Sequence, residues 1–125
     1  MSSNRVRHIL VVDDDGELRK AIARDLEDRG FHVLLAGDGL EAWELLRNGG
    51  EAVDAVVTDI RMPNLDGLGL AKRIRALPKP PQVIFISGRR PHSLTAAQPF
   101  LAKPLDPDEL ASLLAQLLGT VRQQD

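Results

Sequence analysis

A chain of 125 residues with 43% hydrophobic and 27% charged residues has the size and balance of one globular domain, long enough for a core and too short for two domains of ordinary size. Sixteen basic residues stand against eighteen acidic ones, and the net charge of −2 excludes the global basic field that nucleic acid or an anionic membrane would call for. The absence of cysteine excludes disulfides and thiolate metal sites and suits a reducing cytoplasm, the expected location, while the polar residues 1–8 read as neither a signal peptide nor a membrane span.

The first apolar run, residues 6–12, ends in Asp13, Asp14 and Asp15, with Gly16 behind them. Like charges that close repel, and a single aspartate suffices to cap a helix, so the crowding asks for a cause. Two are open: Asp14 or Asp15 caps the next helix and the others are solvated, or a hard divalent cation such as Mg²⁺ draws on the carboxylates. Residues 17–29 place Leu18, Ala21, Ile22 and Leu26 on one helical face, with Gly30 as terminator. A second strand is read over 31–36, a second helix over 40–47 ending at Asn48-Gly49-Gly50, and a third strand over 53–58, closing on Asp59. The third helix spans about 67–75 and is broken by Pro78, Pro80 and Pro81. A fourth run, 82–87, closes on Ser87. The twelve residues that follow carry one strongly apolar side chain, Leu94, so the helix of that crossover should be very short or missing. A brief fifth strand, 100–102, meets Lys103-Pro104. Asp106-Pro107-Asp108-Glu109 then reads as N-cap, first-turn proline and capping-box glutamate ahead of Leu110, Leu113, Leu114, Leu117 and Leu118. Trp43 and the leucines are core or stripe residues, and His8, His32 and His92 share no metal-binding spacing.

Short apolar runs alternating with helical periods indicate an α/β fold: a flavodoxin-like, doubly wound, five-stranded parallel sheet in the order 2-1-3-4-5. The first, third and fourth runs look buried on both faces and should be central. Ligands of such folds bind beyond the carboxyl ends of the strands, where the winding reverses. That edge collects the three aspartates, Thr58-Asp59, Ser87-Gly88 and Lys103. The inventory suits a phosphoryl group: Mg²⁺ between carboxylates and one oxygen, lysine on a second, hydroxyl and backbone amide on a third, and a carboxylate placed as nucleophile.

The segments I-L-V-V-D-D (9–14), V-V-T-D-I-R-M-P-N-L-D-G (56–67), V-I-F-I-S-G (83–88) and F-L-A-K-P (100–104), in this order, resemble the receiver domain of bacterial two-component response regulators, of the chemotaxis-regulator kind. The resemblance covers essentially the whole chain. It implies Asp59 as phosphoacceptor, Asp14 as a direct Mg²⁺ ligand, Asp13 as an acid acting largely through metal-bound water, and the Arg61 carbonyl as a further ligand. It implies phosphoryl contacts from Ser87 and Lys103, and a loop shaped by Met62-Pro63 and Asp66-Gly67. Phe100 takes the place of the aromatic switch residue that follows Ser87, while Arg61 and Arg89 take places that tune acyl-phosphate lifetime. The resemblance further implies a sensor histidine kinase or a histidine phosphotransfer protein as the donor. The output partner is unidentified, with no direct role for nucleic acid or membrane.

Asp13-Asp14-Asp15-Gly16 also fits D-x-D-G, the nucleophile motif of phosphatases resembling haloacid dehalogenases, in which Asp13 is attacked and Asp15 is the general acid. That pattern gives no role to Asp59-x-x-Met62-Pro63, and its late acidic motif would fall on what reads as a helix cap. A receiver-like interaction module that does not phosphorylate is the third reading. The shortened crossover removes part of the family's usual dimer surface, so a monomer or weak dimer is expected. Residues 1–5 and 120–125 are expected to be flexible around a receiver domain at 6–119, which catalyses its own phosphorylation and dephosphorylation without being a conventional enzyme.

Overall fold

The computed structural model describes residues 5–48 and 52–119. Each apolar run becomes a strand: β1 (His8–Val12), β2 (His32–Ala36), β3 (Ala55–Asp59), β4 (Gln82–Ser87) and β5 (Phe100–Ala102). Between and after them lie α1 (Gly16–Asp28), α2 (Gly39–Arg47), α3 (Gly67–Arg75) and α4 (Pro107–Leu118). All strands pair in parallel in the order β2-β1-β3-β4-β5. The flavodoxin-like expectation is met, and β1, β3 and β4 are central.

Alternation of side chains divides the core into two layers. Ile9, Val11, Ala55, Val57, Ile84 and Ile86 face α1 and α4, meeting Ile22, Leu26, Leu110 and Leu114. Leu10, Val12, Ala36 and Val56 face α2 and α3, meeting Ala42, Leu70 and Ile74. Full burial of one such aliphatic side chain contributes about 1.5–3 kcal/mol, which is why the doubly buried strands anchor the sheet.

Every helix opens on an aspartate. Asp15 accepts from the N–H groups of Glu17 and Leu18, Asp38 from Glu41, Asp66 from Gly69 and Asp106 from Asp108. The Glu109 half of the expected capping box is not formed: no hydrogen bond joins its side chain to Asp106, whose cap serves Asp108 N–H instead. Gly30 ends the first helix with φ +98°, a conformation costly for any residue with a Cβ. Trp43 packs partly against the second layer, with the Arg73 guanidinium 5.8 Å from its ring centre.

The crossover from β4 to β5 contains no helix. It is two successive turns, closed by Leu94 N–H to the Pro91 carbonyl (3.2 Å) and Gln98 N–H to the Thr95 carbonyl (3.1 Å). Leu94 tucks its side chain onto Phe85, Ala71 and Ile60 and is the crossover's contribution to that small cluster. Of the termini expected to be flexible, residues 1–4 and 120–125 lie outside the described residues, as does Gly49-Gly50 of the stop after α2. Arg5 is described, and its guanidinium pairs with Asp54 at 2.6 Å.

Candidate functional site

β1 runs one rung past its last ladder residue, since Asp13 N–H donates to the Ala36 carbonyl at 3.2 Å, and this carries the Asp13 side chain fully into the interior. Its Oδ1 accepts from Asp15 N–H at 2.9 Å. Asp14 and Asp15 are exposed; Asp15 is committed to capping α1, so the local aspartate reading holds for that residue. On the neighbouring strand β3 closes with Asp59, 8% exposed, whose Oδ1 accepts from Ile60 N–H at 2.7 Å. Parallel pairing of β1 with β3 brings the two strand ends level, and carboxylate oxygens of Asp13, Asp14 and Asp59 come within 4.8 Å of one another.

One ammonium answers three carboxylates. Lys103 follows β5, its N–H donating to the Ser87 carbonyl at 2.8 Å, and its peptide bond to Pro104 is cis. Its Nζ lies 3.2 Å from Asp59 Oδ2 and 3.0 Å from Asp13 Oδ2. The second contact is an ion pair without hydrogen-bond alignment, which leaves the buried Asp13 Oδ2 with no hydrogen bond. Lys103 is thus shared between two of three carboxylates whose oxygens lie within 4.8 Å, and crowded hard anionic oxygens are the donor set that suits a hard cation. The residues present therefore fit Mg²⁺.

Burial pushes the Asp59 carboxyl above its ordinary range; Lys103 and the Ile60 N–H oppose this, and the Asp13 charge reinforces it. For Lys103 burial acts downward, but the two carboxylates together outweigh it and the ammonium is held above its usual range. The site thus stores repulsion among its acids and keeps its lysine charged.

Ser87 ends β4 opposite Ala102, at the same edge, and its hydroxyl makes no hydrogen bond within the described residues. Phe100 pairs with Phe85, two rungs back from Ser87; it is half-buried, with the Arg90 guanidinium 5.3 Å from its ring centre. Arg61 and Arg89 are exposed, and their guanidiniums form no ion pair with the site's carboxylates.

Three supports carried no sequence signal. Arg19 Nη1 donates to the Asp13 carbonyl at 2.7 Å, tying the acid-bearing turn to α1. Asn64, at φ +72°, donates through Nδ2 to Asp38 Oδ2 at 3.1 Å, tying the loop after β3 to α2. Gly39 lets that loop close, since a Cβ there would sit 2.1 Å from the Leu65 carbonyl oxygen.

A parallel five-stranded sheet whose carboxyl edge holds this acid cluster and lysine is matched by the family model for the response regulator receiver domain, over residues 9–115. The chain belongs to that family. Among curated proteins, this receiver domain is 38% identical over 116 residues to the response regulator MprA of Mycobacterium sp. (strain KMS), covering 88% of this chain and 50% of that protein. The MprA of Mycobacterium ulcerans (strain Agy99) is 35% identical over 123 residues, covering 94% of this chain and 52% of that protein. The receiver domain spans about half the length of these relatives. Among solved structures, the receiver domain of the hybrid histidine kinase CckA superposes with a TM-score of 0.77 at 36% identity, covering 89% of this chain and 98% of that one. A response regulator receiver protein from Sinorhizobium medicae WSM419 gives 0.82 at 31% identity, covering 93% and 97%. No helix among the described residues is long and apolar enough to cross a membrane.

Proposed function

We propose that this receiver domain takes a phosphoryl group onto Asp59 from a phosphohistidine of a sensor histidine kinase or histidine phosphotransfer protein, with Mg²⁺ as cofactor. The observation that carries the reading is the Asp59 carboxylate at the end of β3, with Lys103 Nζ at 3.2 Å and the Asp13 and Asp14 oxygens within 4.8 Å. In the transfer the P–N bond to the donor imidazole breaks as an Asp59 oxygen forms the new P–O bond, giving an aspartyl phosphate. Asp13, Asp14, Asp59 and the Arg61 backbone carbonyl would hold Mg²⁺, which when bound supplies the positive charge that phosphoryl oxygens demand.

The chain's own groups do the rest. Lys103, already paired with Asp59, turns to a phosphoryl oxygen as the carboxylate charge becomes an ester, and its raised pKa keeps it cationic throughout. The unengaged Ser87 hydroxyl and the Gly88 N–H bind a second oxygen. Movement of Ser87 frees the space into which Phe100 turns, shifting a two-state equilibrium read by an output partner. Arg61 and Arg89 screen the acyl phosphate and slow attack by water; unchanged dephosphorylation in Arg61→Ala and Arg89→Ala would reject that role. The domain, residues 6–119, works in the cytoplasm as a monomer or weak dimer and catalyses only its own phosphorylation and dephosphorylation.

The deciding experiment is incubation with acetyl phosphate and Mg²⁺, followed by intact mass of wild type and Asp59→Asn. A phosphoryl adduct on the wild type alone is expected. Turnover of p-nitrophenyl phosphate abolished by Asp13→Asn would select the phosphatase chemistry instead, and neither adduct nor turnover would leave a non-phosphorylating module.

A further inference from the structure

Charge is distributed unevenly along this chain. Between Asp66 and Asp106 there is no acidic residue, yet seven of the sixteen basic residues lie there: Lys72, Arg73, Arg75, Lys79, Arg89, Arg90 and Lys103. Lys103 belongs to the acid cluster. None of the other six forms an ion pair within the described residues. The helix macrodipole favours cations in the last turn of α3, but it does not account for the arginines of the crossover or for the lack of any acid.

The same part of the fold is short of a helix. A parallel sheet needs both faces covered, and over β4 and β5 the face shared with α3 is covered by Ala71 and by Leu94 of the two-turn crossover. A cleft of about 310 Å³ remains between α3 and the crossover, with Arg75, Pro81, Val83, Ala97, Gln98 and Pro99 on its walls and no carboxylate in its lining. Arg75 is the cation of the lining; Lys79, next in sequence to Pro80 of the same wall, opens on the neighbouring cleft, Lys72 lies one helical turn before Arg75, and both lysines are exposed.

We propose that this cleft is a docking surface for an acidic, amphipathic helical segment of a partner protein. Its apolar stripe takes the place in the layer that a crossover helix would fill, against Val83, Pro81 and Pro99, and its carboxylates meet Arg75, Lys79 and Lys72. Steering by these cations reaches about 8 Å at physiological ionic strength. A nucleic-acid strand fits less well: Phe85, the aromatic residue of the lining, is 2% exposed, so no aromatic face is presented for base stacking, and Arg75 is the one cation among the wall residues. The surface lies between α3 and the crossover, with Pro99 of its wall leading directly into β5.

The test uses the ¹⁵N-labelled full chain and three probes: a helical peptide with one leucine stripe and glutamate elsewhere, the same peptide with lysine for glutamate, and a single-stranded oligonucleotide. The glutamate peptide should shift the amides of Arg75, Val83, Ala97 and Gln98, weaken with added salt, and lose about tenfold in affinity in each of Arg75→Glu and Lys79→Glu. Ala97→Trp, which fills the cleft without altering charge, should weaken it as well. Equal binding of the lysine peptide, shifts that map elsewhere, tighter binding of the oligonucleotide, or no binding at all would each overturn the proposal.

Discussion

Gly67 is where the third helix comes closest to the strand that carries Asp59. A methyl group on its Cα would lie 2.2 Å from the Asp59 carbonyl oxygen, 2.9 Å from Ile60 Cα and 3.1 Å from the Asp59 carbonyl carbon. Non-bonded carbon atoms settle at about 3.5–4.0 Å, so in Gly67→Ala the first turn of α3 must retreat by roughly 1 Å. The strand end cannot yield, being backbone at the centre of the sheet. Retreat also lengthens the bond from Gly67 N–H to the Ile60 carbonyl, now 2.8 Å. Overpacking of this kind costs about 1–3 kcal/mol and the weakened bond about 0.5–1.5, against about 1 kcal/mol returned by alanine's better helix propensity. The net loss expected is about 2 kcal/mol, which at a urea slope of about 1–3 kcal/mol/M moves the unfolding midpoint down by roughly 1 M. Gly88→Ala is the control: nothing lies within 4 Å of its Cβ position, and its φ is outside the left-handed region. That variant should match the wild type or gain about 0.4–1 kcal/mol. A wild-type midpoint for Gly67→Ala, or an equal loss in Gly88→Ala, would refute the reasoning.

Three further outcomes are expected. Asp14→Asn removes an exposed carboxylate that crowds Asp13 and Asp59 and forms no ion pair with Lys103, so the melting temperature in EDTA should rise, by an amount worth up to about 1 kcal/mol, while the Mg²⁺-induced increase shrinks. Burial acts to raise the Asp54 carboxyl, but Arg5, the His8 N–H and Arg7 outweigh it and hold it below the usual range. Its contribution is therefore whole above the unfolded value of about 3.9 and is lost as pH falls through the lower folded one; the gap between wild-type and Asp54→Asn urea midpoints should narrow as acid is added, and a gap that widens would contradict the assignment. Asn64→Gly keeps the left-handed backbone and loses the Asp38 bond, costing about 1 kcal/mol, whereas Asn64→Ala adds the strain of φ +72° and should lose about 1–2 kcal/mol more in the same titration.

The strands, the four helices and their order, with the aspartate caps of α1 and α4, were legible in the amino-acid string because each rests on local pattern, whereas the caps Asp38 and Asp66 emerged with the structure. An apolar run between turn residues has few alternatives to a buried strand, and helical spacing ahead of Gly30 or Pro78 has few alternatives to a helix that stops there. The acid cluster was legible at one remove: once β1 and β3 are neighbours, Asp13, Asp14 and Asp59 meet whatever the details of packing. That the crossover helix would be very short or missing followed from twelve residues with a single strongly apolar side chain, Leu94. Other features needed the folded chain. Arg19 on the Asp13 carbonyl, Asn64 on Asp38, and the close passage of Gly39 under Leu65 join segments with no common period, and each depends on how far one backbone stands from another to within an ångström. The same holds for the unpaired cations. A run of lysine and arginine can be counted in a sequence, but whether carboxylates from elsewhere fold over to neutralise it is settled by tertiary packing, and among the described residues none pairs with Lys72, Arg73, Arg75, Lys79, Arg89 or Arg90.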